Sequence, residues 1–249
     1  MTIDPLSRVA LLLEVGKDGK RLSTATGFFV TSPGGRHFLI TNWHVVTGLH
    51  PDKRLPLHRG SEHPDSLDVW LEAPSSPNGW EPLTLALGDR SGVPTWIDHP
   101  NGTSIDVVAM PVDVPATFAV HPLDIASADF GLLLGPSEPV SIIGFPFGLT
   151  AGGRVPIWKT GHIASDLDWD ALGRPMFLID ATTKPAMSGS PVVAKRLGSY
   201  LSKEGSFVIS DHSVVRFLGV YSARHDESND PSIGYVWKPH VISELLAGH

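Results

Sequence analysis

Proline and glycine interrupt this chain so often that little of it can form long helices. The 249 residues include 22 Pro and 25 Gly, and the runs between them are short and rich in Val, Ile, Leu, Phe and Thr. Short apolar runs separated by turn residues about every ten residues are typical of β-sandwiches and β-barrels. The spacing therefore predicts an all-β protein and not a chain of alternating strands and helices.

The clearest predicted element is a hairpin in the stretch "TGFFVTSPGGRHFLITN". Two apolar strands, Gly27–Thr31 and His37–Thr41, flank Ser-Pro-Gly-Gly, where proline fixes φ and glycine permits positive φ. Helical signal is confined to one turn at Trp43–Val46 and to the C-terminal stretch "KPHVISELLAG". Further strands are expected at Leu67–Leu71, Leu83–Leu87, Ile105–Val112, Phe130–Leu134, Val140–Phe145, Met176–Ile179, Val192–Ala194, Phe207–Ile209, Phe217–Ser222 and Gly234–Trp237.

Composition excludes several classes of function. The chain has no cysteine, which rules out thiolate catalysis and favours a reducing, cytoplasmic location. Its formal net charge is -7, and no Lys/Arg cluster is longer than two residues, so neither nucleic acid nor an anionic membrane is an expected partner. No apolar run approaches the length that a transmembrane helix needs.

No cofactor or metal site is expected. The stretch "DLDWDALG", Asp166–Gly173, has carboxylates at alternate positions as a calcium loop does. It lacks the turn glycine at the required offset and the closing glutamate. The stretch "HDESNDP", His225–Pro231, fails in the same way, so both are interpreted as acidic turns.

Nucleophilic catalysis is the chemistry that the remaining residues favour. In "TTKPAMSGSPVV", Ser188 stands between small residues just ahead of a β-branched strand. A serine hydroxyl attacks only when an imidazole takes its proton, and that imidazole needs a carboxylate to fix its tautomer. His44 in "FLITNWHVVTG" follows a strong strand, and Asp106 in "NGTSIDVVAMPV" opens another. Asp129 in "SADFGLLL" has a similar setting and is the alternative carboxylate.

Taken together, these segments resemble the chymotrypsin-like serine peptidases. The stretches "TGFFV", "HFLITNWHVV", "SIDVVAMPV", "VSIIGFPFGL", "IDATTKPAMSGSPVV", "FLGVYSA" and "IGYVWKPHVI" occur in order over about residues 25–245. The HtrA-type bacterial branch is the most similar, here without its PDZ domain. The glutamyl endopeptidase branch, whose nucleophile loop also ends in "SGSP", is second. The resemblance implies two packed six-stranded Greek-key β-barrels with a C-terminal helix, arranged as residues 1–113, a crossing at 114–127, and residues 128–249.

The resemblance also implies a role for each candidate residue. His44 would be the general base, Asp106 its orienting carboxylate and Ser188 the nucleophile, in the chain order of this fold. The backbone N–H groups of Ala186 and Ser188 would form the oxyanion hole, although the family normally has glycine where Ala186 stands. The long gap between His44 and Asp106 implies an insertion within residues 48–103, and our hypothesis is that this segment gates the site beside His44.

Specificity and regulation follow from the same resemblance. The base of the S1 pocket carries no acid, so cleavage after Lys or Arg is not expected. Met187 stands where zymogen-activated relatives have Asp, so no proteolytic activation is expected.

The expected partners are a peptide or protein substrate and a regulatory protein. The alternative is a catalytically inert barrel that acts as a binding module. The residues assigned to the S1 pocket are Thr182 and Thr183 at its base and Ser222, Ala223 and Arg224 along one wall.

Overall fold

The computed structural model describes residues 3–57, 63–182, 184–222 and 232–248. Seven strands from the first half of the chain form one antiparallel sheet in the order β5-β4-β1-β2-β3-β7-β6. The predicted hairpin is confirmed as the pair β2–β3, with Phe28 opposite Ile40. The elements of this half are β1 (Ala10–Lys17), β2 (Lys20–Thr31), β3 (His37–Thr41), the short helix α1 (Trp43–Thr47), β4 (Ser66–Glu72), β5 (Trp80–Ala86), β6 (Ile97–Asp98) and β7 (Val108–Val112).

The second half closes into a barrel of six strands in the order β10-β15-β14-β11-β8-β9. The predicted C-terminal helix is confirmed as α2 (His240–Leu246), whose four buried side chains are the four apolar residues of its sequence pattern. None of the helices in the described ranges is long and apolar enough to cross a membrane. The strands of this half are β8 (Pro139–Gly144), β9 (Ile157–Ile163), β10 (Met176–Asp180), β11 (Pro191–Arg196), the separate hairpin β12 (Ser199–Leu201) and β13 (Phe207–Ile209), β14 (Val214–Ser222) and β15 (Ile233–Trp237).

The first half differs in detail from a six-stranded closed barrel. Its sheet has seven strands, and β6 is only two residues long. The edge strands β5 and β6 are joined by residues 87–96, where the Thr95 N–H donates to the Leu87 C=O at 3.4 Å. Pro94, which forms an isolated bridge with Gly88, has no N–H to extend a ladder. The segment 48–103, interpreted as an insertion, therefore supplies β4, β5 and β6 of the sheet.

One predicted strand does not form. Residues 130–134 make only an isolated bridge, between Leu132 and Ser202. The Leu132 N–H donates to the Phe130 C=O at 2.8 Å, and a hydrogen bond between residues two apart bends the backbone out of an extended conformation. The prediction at Phe130–Leu134 is therefore wrong, and β1 and β9, which were not predicted, take part in the two sheets.

The two halves pack against each other through aromatic side chains. Phe28 on β2 and Phe217 on β14 are fully buried, and their ring centroids lie 5.8 Å apart in an edge-to-face arrangement. Such pairs stabilise by more than their buried area alone. One apolar cluster contains both rings and residues of both halves. This contact places β2 next to β14, and the Thr26 N–H of β2 donates to the Ser188 C=O in the loop that precedes β11.

Candidate active site

The site begins where β3 runs into helix α1. His44 lies in the first turn of α1, and the helix ends at Gly48, whose φ of 70° is left-handed. The His44 Nδ1 lies 2.7 Å from Asp106 Oδ2, and the His44 backbone N–H donates to Asp106 Oδ1 at 2.9 Å. A neutral ring that donates its Nδ1–H to a carboxylate keeps an acceptor at Nε2. The pair therefore orients His44 as a base.

The Asp106 carboxylate is buried and fully supplied with donors. Its Oδ2 also accepts from the Ser222 hydroxyl at 2.7 Å, and its backbone C=O accepts from the Asn42 side chain at 2.6 Å. Burial acts to raise the pKa of the Asp106 carboxyl, but the adjacent His44 ring and the hydrogen bonds from His44 and Ser222 outweigh it. The pKa of Asp106 is therefore held below its usual range, and the group is an anion at neutral pH.

Three details of this cluster differ from the sequence-based expectation. Asp106 does not open a strand, because β7 begins two residues later, at Val108. The contact of the Ser222 hydroxyl with Asp106 was not predicted for this pocket residue, and neither was the part that Asn42 takes. The alternative carboxylate, Asp129, ends a 3-10 helix over Ile125–Asp129, whereas Asp106 touches His44 directly.

Ser188 lies on a loop wedged between the two halves. The residue is buried, with 6% of its surface exposed, and its C=O accepts from the Thr26 N–H on β2 at 2.9 Å. The next residue, Gly189, donates its N–H to the Tyr221 C=O at 2.9 Å, next to Ser222 at the end of β14. The loop is thus attached to the same two elements that flank the His44–Asp106 pair.

A tight turn over residues 184–187 leads directly into Ser188. The Met187 N–H donates to the Lys184 C=O at 3.3 Å, and Ala186, the third residue of the turn, has φ of 73°. Pro185 holds φ near −65°, so the turn is of type II, which needs positive φ at its third residue and normally has glycine there. Ala186 therefore adopts the conformation that the family's glycine would adopt.

This turn leaves two backbone donors unused. Among the described residues, neither Ala186 nor Ser188 has a hydrogen-bond acceptor for its N–H within the protein, whereas Met187, Gly189 and Ser190 each donate to a backbone carbonyl. Paired backbone N–H groups without an internal acceptor can stabilise a negative oxygen that develops on a substrate. The main chain of this loop is therefore equipped to act as an oxyanion hole.

The predicted pocket residues are only partly described. Thr182 is exposed, two residues beyond the end of β10. Thr183, Ala223 and Arg224 lie outside the described residues, as does the whole of the acidic turn at 225–231. Within the described ranges, no group of three or more His, Asp or Glu side chains is placed to hold a metal ion.

Comparison with known proteins agrees with this arrangement. The family model of the trypsin-like peptidase domain matches residues 25–200, while no curated protein sequence matches significantly. Among solved structures, a serine endoprotease from Yersinia pestis is 15% identical with a TM-score of 0.52, over 98% of this chain and 66% of that chain. The thermostable serine protease AL20 from an extremophilic microorganism is 10% identical with a TM-score of 0.53, over 98% and 97%.

A third similar structure is the HtrA-type protease AlgW with a decapeptide, 16% identical with a TM-score of 0.50, over 97% of this chain and 64% of that chain. The chain thus spans slightly less than two thirds of the Yersinia protease and of AlgW. Because the identities are this low, the structural similarity establishes the fold alone. It is the chymotrypsin-like fold that the sequence predicted. Because the family model covers well over half of its residues, the chain belongs to the trypsin-like peptidase domain family and is a serine peptidase.

Proposed function

We propose that this protein is an endopeptidase that hydrolyses peptide bonds through an acyl-enzyme. Ser188 attacks the scissile carbonyl, His44 takes its proton and later returns it to the leaving amine, and Asp106 stabilises the imidazolium that forms between these steps. The N–H groups of Ala186 and Ser188 bind the oxyanion. This chemistry needs no metal or cofactor, because the activated hydroxyl and the main-chain donors supply nucleophile and electrophile.

The observation that carries this proposal is the buried contact between His44 and Asp106. Their side chains are 5% and 2% exposed, and Nδ1 lies 2.7 Å from Oδ2. Burying an ionised carboxylate costs several kcal/mol unless it is paired and hydrogen-bonded. Ser222 and the His44 backbone complete that hydrogen bonding. Peptide binding by an inert barrel does not require a buried anion hydrogen-bonded to an imidazole, so the contact favours catalysis over simple peptide binding.

The interior of the second barrel supports activity without proteolytic activation. Met187, next to Ser188, is fully buried within the apolar cluster of this barrel. Among the described residues this cluster holds apolar side chains, so it offers a charged N-terminus no counter-charge, and an unpaired buried charge is strongly unfavourable. The folded loop, with Ala186 in its left-handed conformation, also supports a peptidase that forms its oxyanion hole without a preceding cleavage.

The substrate class that we propose is an extended peptide. In AlgW, one of the similar structures, the protease is found with a decapeptide. A peptide in this cleft would pair with the main chain near Ser222 at the end of β14, because added-strand binding gains affinity from backbone hydrogen bonds. Thr182, Thr183, Ser222, Ala223 and Arg224 are the residues that we propose as the S1 pocket, and a regulatory protein would act on the same cleft.

Labelling with a fluorophosphonate probe tests the proposal directly. The purified wild-type protein should react covalently, and Ser188→Ala and His44→Ala should not. Asp106→Glu is a useful fourth sample, since a longer carboxylate keeps the charge but displaces the ring. A fluorogenic peptide library then reports hydrolysis and the preferred residue before the cleaved bond.

The outcomes separate the two readings of the barrel. Labelling and hydrolysis that both vanish in Ser188→Ala and His44→Ala would establish the proposed roles. Labelling that persists in Ser188→Ala would assign the nucleophile elsewhere. Equal lack of labelling and hydrolysis in all samples would instead favour the binding module, and peptide affinity would then be the property to measure.

A further inference from the structure

Thr26 on β2 is joined to the candidate oxyanion hole and its neighbours by four hydrogen bonds. It is fully buried. Its hydroxyl donates to the Ala186 C=O at 2.9 Å and accepts from the Phe145 N–H at 3.3 Å. Its backbone N–H donates to the Ser188 C=O at 2.9 Å, and its C=O accepts from the Thr41 hydroxyl at 2.9 Å. One side chain from the first sheet thus reaches the strained turn of the second barrel.

Two glycines make room for this threonine. A Cβ on Gly144 would lie 2.8 Å from the Thr26 hydroxyl oxygen and would clash with Ser190. A Cβ on Gly189 would lie 2.6 Å from the Thr41 hydroxyl and would clash with the Thr26 C=O. Such distances are too short for real carbon atoms, so Thr26 is packed between the end of β8 and the loop before β11, at positions where only glycine fits.

The hydroxyl of Thr26 donates to Ala186, the residue of the turn whose backbone conformation is strained. Ala186 has φ of 73°, a conformation in which the Cβ of an L-residue is crowded by its own backbone. A type I turn, with negative φ at the same position, suits alanine better and turns the 185–186 peptide over. The N–H of Ala186 would then leave the oxyanion hole. Something outside the turn must therefore hold the observed form.

Two hydrogen bonds hold the carbonyls on either side of Ala186. The Phe147 N–H donates to the Pro185 C=O at 2.8 Å, and in a trans peptide the N–H of the following residue points the opposite way. The Thr26 hydroxyl holds the next carbonyl, that of Ala186 itself. Because the Phe145 N–H donates to the same hydroxyl, the chain of donors from Phe145 to Ala186 is polarised in one direction.

We infer that Thr26 is a positioning residue of the oxyanion hole, holding Ala186 in the left-handed conformation through its side-chain hydroxyl. The inference rests on the proposed function, because it assigns the Ala186 N–H to the reacting oxygen. The role assigned to the Thr26 hydroxyl is exerted through the Ala186 carbonyl and not through contact with the substrate. The threonine belongs to the first sheet, so the hole is complete only when the two halves are packed together.

The test compares variants that differ in one hydroxyl. Thr26→Val removes the donor and keeps the side-chain shape, whereas Thr26→Ser keeps the donor and removes the methyl group. Ser7→Ala is the matched control, because it deletes another hydroxyl that bonds across elements, to Trp158 Nε1 at 2.8 Å, away from the site. For each variant kcat and KM are measured on a peptide substrate, together with the Ki of a peptide boronic acid, which mimics the tetrahedral intermediate.

The expected result is specific to the transition state. Thr26→Val should lower kcat by about 10–100-fold, part of the loss seen when an oxyanion donor is removed outright. Its KM should stay within about two-fold, and the boronic acid should bind more weakly by the same factor as kcat falls. Thr26→Ser and Ser7→Ala should keep kcat within about three-fold. If Thr26→Val does not fold, Thr26→Ala replaces it in the same comparison.

Other outcomes would overturn the inference or the proposed function separately. A hydroxyl-free variant with wild-type kcat, or a serine variant as impaired as the valine variant, would overturn the positioning role. A wild-type protein no more active than Ser188→Ala would contradict the proposed function alone. In that case crystal structures of wild type and Thr26→Val decide: Ala186 at negative φ in the variant supports the role of Thr26, and an unchanged left-handed Ala186 overturns it.

Discussion

Replacing Ala186 by glycine should make the protein more stable, although it removes a methyl group. The residue has φ of 73°, and this conformation costs an L-residue about 1–2 kcal/mol of free energy. Glycine removes this strain but raises the entropy of the unfolded chain, which costs about 0.4–1 kcal/mol. Ala186 is only partly buried, so little packing is lost. The net gain should be about 0.5–1 kcal/mol, or about 2 °C in Tm for a chain of this size.

Urea unfolding at neutral pH measures this gain, with Ala151→Gly as the matched control. Ala151 is exposed, and its φ is not in the left-handed region. Its replacement should therefore only destabilise, by about 0.4–1 kcal/mol. The difference between the two variants isolates the strain at residue 186. Equal destabilisation by both variants would refute the reasoning, because it would mean that the Ala186 methyl group carries no strain.

Three further predictions concern the same part of the molecule. Asp106→Asn should lower kcat by about 10⁴-fold, because the amide cannot stabilise a protonated ring; steady-state hydrolysis measures this, and a loss below ten-fold would contradict it. Gly189→Ala should destabilise by about 2–5 kcal/mol, since φ is 85° and the Cβ would clash with the Thr26 C=O; a loss under 1 kcal/mol in urea unfolding would argue against this packing. Burial, opposed by Glu244, lowers the pKa of His99 from its usual 6.5, so the unfolded chain binds more protons and stability should fall as pH drops below about 6.5. Between pH 7 and pH 5, the free energy of unfolding measured with urea should fall less for His99→Gln than for wild type.

The strands that sequence reasoning found carry apolar residues that alternate or are β-branched, bounded by turn residues. The hairpin β2–β3 is of this kind, and its turn residues determine its register. Strand β1, with the run "ALLLEVGK", shows no alternation, so it cannot be distinguished locally from a buried helix. Strand β9 contains Lys, Thr and Gly and is only half-buried. Its place in the barrel is decided by its pairing with β8, which periodicity does not reveal.

The residues of the candidate site also divide into those that a local sequence pattern predicts and those that it does not. The segments around His44 and Ser188 carry local patterns, and the resemblance supplied Asp106 between them. The Ser222 hydroxyl and Thr26 escaped prediction because their contacts are non-local: Ser222 meets Asp106 across 116 positions, and Thr26 meets Ala186 across 160. The left-handed Ala186 was foreseeable, because glycine is the family's residue at that position, whereas what stabilises it depends on the packing of the two halves.

The pairing of β15 has a consequence for synthesis of the chain on the ribosome. Strand β15 (Ile233–Trp237) joins β10 to β14, and β14 ends at Ser222, which holds Asp106. Domains fold as their residues emerge, but this barrel cannot close until residue 237 has been made. The segments that carry His44, Asp106 and Ser188 can therefore reach their final arrangement in a growing chain only after residue 237 has been made.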